Sequence, residues 1–130
     1  MNCKVCQKPL NRNAKTYCSR DCLNIAKYNE WTAEWLKGNH DGLRGGVAVS
    51  RYIRRWLKLT KGEQCEICGW AEVNPTTGSI PLHLDHMDGN WKNNRPENLR
   101  FLCPNHHALT SNYGSLNRGN GRPFFVQKKA

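Results

Sequence analysis

Leu82-His83-Leu84-Asp85-His86-Met87-Asp88-Gly89-Asn90, continuing through Asn98-Leu99 to Cys103-Pro104-Asn105-His106-His107 and ending near Asn112, decides how this chain is read. Asp, His and Cys are ligand and acid-base residue types, and three clusters of them crowd into one short run. From Ile80 to His86 apolar and polar residues alternate as in a strand, Asp88-Gly89-Asn90 signals a turn, and Leu99 to Leu102 reads as a second strand. Pro104 suits the first turn of a helix expected to reach about Asn112. The order is strand, loop, strand, helix.

Around this run lie 130 residues in all, enough for one domain or two very small ones, so small lobes need a staple beyond apolar packing. Seven cysteines, no apolar leader at Met1 and no membrane-length apolar run lead us to expect an intracellular, cytoplasmic chain with no membrane partner, whose paired cysteines bind zinc. The odd count asks for one ligand that is not cysteine. A formal charge of +10 points to a polyanionic partner, and two thiolate-rich zinc sites would lower it only to about +7. The charge is uneven. Residues 42–62 hold six bases and no acid, and from Asn98 onward there are five bases, Arg100, Arg118 and Arg122 among them, again with no acid. Both stretches are expected to lie along DNA phosphates.

In chain order, Cys3-x2-Cys6 and Cys18-x3-Cys22 supply four soft ligands for a structural zinc. Cys6-Gln7-Lys8-Pro9 reads as a metal knuckle entering a hairpin, with Thr16-Tyr17 as the returning strand; the segment resembles a treble-clef-like zinc finger. Ser19 can cap a helix starting at Arg20, and Leu23, Ala26, Trp31, Trp35 and Leu36 continue it to a stop at Gly38. Gly45-Gly46 resets the chain. Val49, Tyr52, Ile53, Trp56 and Leu57 then form an apolar helical stripe, with Arg51, Arg54, Arg55, Lys58 and Lys61 as a second stripe of one sign, which favours phosphate contact over a merely solvated face. Cys65-x2-Cys68 is another knuckle, whose partners are expected to be Cys103 and His106. His107 is the alternative zinc ligand, which would free His106 for other work.

From Cys65 to Asn112 the chain resembles the HNH endonucleases, nucleases with a ββα-metal active site, in their zinc-stapled subfamily. Cys65-x2-Cys68, Leu84-Asp85-His86, Asn98-Leu99 and Cys103-Pro104-Asn105-His106-His107 carry the resemblance. Many zinc-stapled members have a fourth cysteine where this chain has His106. The resemblance implies His86 as general base, Asp85 and His107 as holders of one divalent ion, and Asn98 as the residue positioning the loop that orients His86. Hydrolysis of a phosphodiester needs a water deprotonated near neutral pH and a cation on the phosphate, which these residue types can supply. Asp85 suits magnesium or manganese, and His107 also admits nickel, cobalt or zinc. His83 shares a strand face with Asp85, and Asn94 is a second candidate for the Asn98 role.

The fold class expected is α+β: a small zinc-stabilised ββα-metal core (63–113), preceded by an N-terminal finger and linking helix (1–38) and a basic helix region (39–62), and followed by a basic extended arm (114–130). The function expected is a metal-dependent endodeoxyribonuclease, monomeric or weakly dimeric, acting on DNA in the host cell of a phage or mobile element. A catalytically silent nucleic-acid-binding zinc protein and a zinc-stapled protein adaptor are the rival readings.

Overall fold

The protein is described by a computed structural model over residues 1–119, which separates into two units, Met1–Asn39 and a second beginning at His40.

The first unit opens with a knuckle. The Gln7 N–H donates to the Cys3 carbonyl at 3.0 Å and the Cys3 N–H to the Lys8 carbonyl at 2.8 Å, which forces Gln7 into the left-handed region at φ 65°. Asn2 pairs antiparallel with Pro9, and the Leu10 N–H closes on the Met1 carbonyl at 3.0 Å. Here the expectation of Thr16-Tyr17 as the returning strand is corrected: the turn is so tight that residues 9 and 10 make the return. Thr16 contributes its carbonyl to the Lys4 N–H at 3.1 Å.

Helix α1 spans Arg20–Leu36, and the Ser19 hydroxyl accepts from the Cys22 N–H at 3.2 Å as its N-cap. It ends in a paired Schellman arrangement. The Gly38 N–H reaches the Trp35 carbonyl at 3.0 Å and the Asn39 N–H that of Glu34 at 2.9 Å, possible because Gly38 takes φ 89° without a Cβ. Trp35 is fully buried and Trp31 stacks on it, ring centroids 5.9 Å apart.

The second unit begins with a small hairpin, β1 (Leu43–Arg44) against β2 (Ala48–Val49), turned by Gly45 and Gly46 at φ 63° and 77°. Val49 therefore belongs to a strand, not to the apolar stripe of the following helix. That helix, α2, spans Arg51–Lys61 and is capped by Ser50, whose hydroxyl accepts from the Tyr52 N–H at 3.2 Å. It buries Ile53 and Leu57 and leaves Arg51, Arg54, Arg55, Lys58 and Lys61 exposed on the other side. Each buried aliphatic side chain contributes roughly 1.5–3 kcal/mol. Lys61 Nζ donates to the Leu99 carbonyl at 3.0 Å, tying the end of α2 to the central hairpin.

That hairpin pairs β3 (His83–His86) antiparallel with β4 (Leu99–Leu102) in the register His83↔Leu102, Leu84↔Phe101, Asp85↔Arg100 and His86↔Leu99. The first strand was expected from Ile80. It starts at His83 because β4 ends opposite it, where Cys103 turns away into the next helix. A 3₁₀ turn at Pro96–Asn98 leads into β4.

Helix α3 covers only Pro104–Ala108, shorter than the run to Asn112 read from the sequence. The residues beyond it are recruited by the hairpin loop instead: Asn112 Nδ2 donates to the Met87 carbonyl at 3.4 Å and Asn117 Nδ2 to the Gly89 carbonyl at 2.7 Å. Residues 114–117, expected as the start of a loose arm, form a 3₁₀ turn against this loop. Arg122 lies outside the described residues.

Gly89 sits at φ 76°, and a Cβ there would fall 2.7 Å from Asn112 Nδ2 and closer still to the Asn117 amide oxygen. Gly89→Ala is therefore expected to cost about 1–3 kcal/mol, measured as a lower midpoint in urea unfolding.

Candidate active site and metal centres

Two clusters could each hold a metal ion. Cys3, Cys6, Cys18 and Cys22 form one, and Cys65, Cys68, Cys103 and His106 the other, with all ligand atoms in each within 4.8 Å of one another. In the second, Cys103 Sγ lies 3.3 Å and Cys65 Sγ 3.8 Å from His106 Nδ1, and the Cys68 and Cys103 sulfurs are 3.9 Å apart. In the first, the Cys6 and Cys18 sulfurs are 3.4 Å apart and those of Cys18 and Cys22 3.6 Å. A tetrahedral zinc places sulfurs about 3.8 Å apart and sulfur about 3.5 Å from nitrogen, so both donor sets fit that ion.

The same backbone device builds one half of each cluster. Cys65 repeats the bonds of Cys3, its N–H donating to the Trp70 carbonyl at 2.9 Å and its own carbonyl accepting from the Gly69 N–H at 2.8 Å, with Gly69 at φ 78° where the first knuckle has Gln7. Such turns aim amides at sulfur. The Cys6 N–H, against the opposing effect of burial, brings the Cys3 thiol down to about 6. For Cys65, burial opposes ionisation but is outweighed by the amides of Cys103, Cys68 and Ile67, which also leave it at about 6. Conversely, the hydrogen bond shared with Cys18, together with burial, pushes Cys22 up to about 12, as expected of crowded thiols with no cation to balance a full set of negative charges.

His107 follows His106 directly but turns to other partners. Its Nε2 lies 3.9 Å from Asp85 Oδ1, and its Nδ1 lies 2.9 Å from His83 Nδ1. Burial, reinforced by His83 and opposed by Asp85, holds the His107 pKa below its ordinary value, so the imidazole is neutral and able to act as a ligand. Two donors about 2.1 Å from one ion stand between about 3.0 Å (cis) and 4.2 Å (trans) apart, and the Asp85–His107 separation falls in that window.

Asp85 is buried, and its other oxygen, Oδ2, accepts from Arg100 Nε at 2.9 Å across the strand pair. Arg100, counted from the sequence among the phosphate-contacting bases, is thus turned onto the carboxylate. His86 ends β3 and borders, with Asp85 and His107, a cleft of about 250 Å³ that Trp91 and Tyr113 also line.

Between β3 and β4 the loop is held by amides. Asn98, buried, donates from Nδ2 to Asp88 Oδ1 at 3.0 Å and to the Asn93 carbonyl at 2.8 Å, while its Oδ1 accepts from the Asp88 N–H at 3.1 Å. Burial of Asp88 is outweighed by bonds from Asn93, the Asn90 N–H and Asn98, and its pKa is lowered. Asn94, second choice in the sequence reading, is the residue that reaches His86: its Oδ1 lies 2.7 Å from His86 Nε2. Asp88 was read only as a turn residue; an Asp flanked by Asn at several positions in one loop was the available signal.

Among the basic residues, Arg51, Arg54 and Arg55 are exposed on one face of α2, and Arg51 lies over the Tyr52 ring at 5.9 Å. Lys58 has Glu63 at 3.6 Å and Lys61 has Glu66 at 3.8 Å, acids supplied from beyond the helix end. Arg118 is exposed.

Comparison with known proteins bears out the resemblance read from the sequence. Residues 75–109 match the family model described as HNH endonuclease. The H-N-H endonuclease F-TflIV of Escherichia phage T5 is 40% identical over 83 residues, covering 59% of this chain and 34% of that protein. The chain thus spans about a third of the length of the curated relative it matches. No solved structure matches. Among the described residues no helix is long and apolar enough to cross a membrane.

Because the second unit has so few fully buried side chains, its metal cluster should be coupled to folding. Cys65→Ser is expected to destabilise the chain by on the order of 3 kcal/mol or more and to remove one equivalent of bound zinc, checked by thermal unfolding and elemental analysis. An unchanged melting point would take Cys65 out of the ligand set.

Proposed function

We propose that this chain, an HNH endonuclease by its family match and its phage relative, is a metal-dependent endodeoxyribonuclease, with His86 as general base and a divalent ion held by Asp85 and His107. One observation carries the reading: the Asp85 and His107 donors lie 3.9 Å apart, wide enough for an ion, beside a cleft that His86 also borders. A protein that only binds nucleic acid has no use for an imidazole base beside an open ligand pair. The two four-donor clusters would hold structural zinc, with His106 assigned to zinc and His107 to catalysis.

Each group has a separate task. His86 accepts the proton of the attacking water. Arg100 holds Oδ2 of Asp85 and so leaves Oδ1 directed toward His107. The Nδ1 contact with His83 leaves Nε2 of His107 facing the carboxylate. Magnesium or manganese, or another divalent metal tolerated by imidazole, would neutralise charge on the scissile phosphate and its leaving oxygen when bound. Arg51, Arg54, Arg55 and Lys58 on α2 are assigned to DNA phosphates, as are Arg118 and the sequence-read Arg122. The relative's source supports action inside the host cell of a phage or mobile element, by a monomer or a weak dimer.

Supercoiled plasmid incubated with the protein and magnesium or manganese should be nicked or linearised, and chelator should stop it. No cleavage with any divalent ion would return the chain to the class of silent nucleic-acid binders. His86→Ala should reduce the rate by roughly 10²- to 10⁴-fold while the melting point and DNA affinity stay close to those of the unsubstituted protein. Replacing Arg51, Arg54 and Arg55 by Ala should flatten the slope of log affinity against log salt by about 0.9 for each phosphate no longer neutralised.

A further inference from the structure

The base on which that reading rests has two ring nitrogens, and only the one bearing a lone pair can take a proton from water. Its neutral tautomer is fixed by whatever sits at the other nitrogen. Here that neighbour is the side chain of Asn94, 2% exposed, with Oδ1 at 2.7 Å from His86 Nε2.

An amide could in principle present either end to the imidazole, but this one is held in one orientation. Asn94 Nδ2 faces three carbonyls, those of Trp91 at 3.2 Å, Asp41 at 3.3 Å and Lys92 at 3.5 Å. Carbonyl oxygens only accept, so the atom among them is the NH₂ group. The oxygen must then point at His86 Nε2, and an amide oxygen only accepts as well. Nε2 therefore carries the hydrogen, and in a neutral imidazole Nδ1 carries the lone pair. The reverse orientation would set an oxygen against three carbonyls in a buried site, which is strongly unfavourable.

We propose that Asn94 is a positioning residue that holds neutral His86 in its Nε2–H tautomer, making Nδ1 the atom that accepts the proton of the attacking water. Asn98 serves a different end, binding Asp88 and the Asn93 carbonyl to shape the loop in which Asn94 sits. Asn94 also reaches outside that loop, to the Asp41 carbonyl 53 residues earlier. The orientation of the base is thereby linked to the segment leading into the first hairpin of the second unit.

The tautomer can be read without turnover, from long-range proton-nitrogen NMR correlations of histidine-labelled, zinc-loaded protein in the absence of magnesium or manganese. The expected result is the Nε2–H pattern for His86 in the unsubstituted protein. In Asn94→Ala a mixture of tautomers is expected, with nicking on the order of 10- to 100-fold slower and plasmid binding unchanged. An Nδ1–H pattern in the unsubstituted protein would overturn the proposal even if Asn94→Ala proves too unstable to study. Retention of a single Nε2–H tautomer and full activity in a folded Asn94→Ala would overturn it too. Failure to nick by the unsubstituted protein would count against the nuclease reading and leave the tautomer measurement standing.

Discussion

Helix α3 is five residues long, far too short to persist in water on its own. What holds it is the convergence of Cys103 and His106 at its start with Cys65 and Cys68 of the knuckle, a meeting of four donor atoms around a pocket that suits one ion. The apolar reinforcement is slight, since Cys65, Leu102 and Cys103 form the buried cluster there and Trp70 packs against it. The Glu66 N–H adds a bond to the Phe101 carbonyl at 2.9 Å, so the knuckle is fastened to β4 as well as to α3. Everything the site needs from α3 depends on this fastening. His107 is one residue past a zinc-type donor, and its approach to Asp85 is fixed by where His106 is held.

The loop between the strands is maintained by a different kind of force. Instead of apolar packing it uses amide side chains that satisfy backbone groups at several points, and every buried polar side-chain atom among the described residues has a partner. Fully satisfied networks of this sort are stiff, because each bond is stronger away from water and losing one leaves a buried group unpaired. Stiffness is what a general base requires, since small misplacements of the reacting groups slow the chemistry steeply.

Legibility from sequence followed the range of the interaction. Helix α1 could be bounded because its signals are local: a Ser cap at one end and a Gly at the other. Strand β4 was also read to its ends, from a compact apolar run bounded by Asn98 and Cys103. The first hairpin escaped notice because strands of two residues have no periodicity to detect, although Gly45-Gly46 marked the turn. Helix α3 was overextended because Leu109 looked like a continuation of its apolar face, whereas it is 78% exposed. The ligand and base residue types stood out by chemistry and spacing. Which asparagine touches His86 did not, because the choice depends on a carbonyl from Asp41, remote in sequence and brought near only by the fold.

The bond from Lys61 Nζ to the Leu99 carbonyl joins the last turn of α2 to the first residue of β4, directly opposite His86 in the strand register. On the proposed reading, the helix that grips phosphates and the strand that carries the base are therefore parts of one gauge block, with no hinge at that junction. The spacing between the phosphates gripped and the bond cut becomes a property of the protein rather than of the DNA sequence. An enzyme built this way measures along the backbone like a ruler, and it can place its cut consistently without reading a single base.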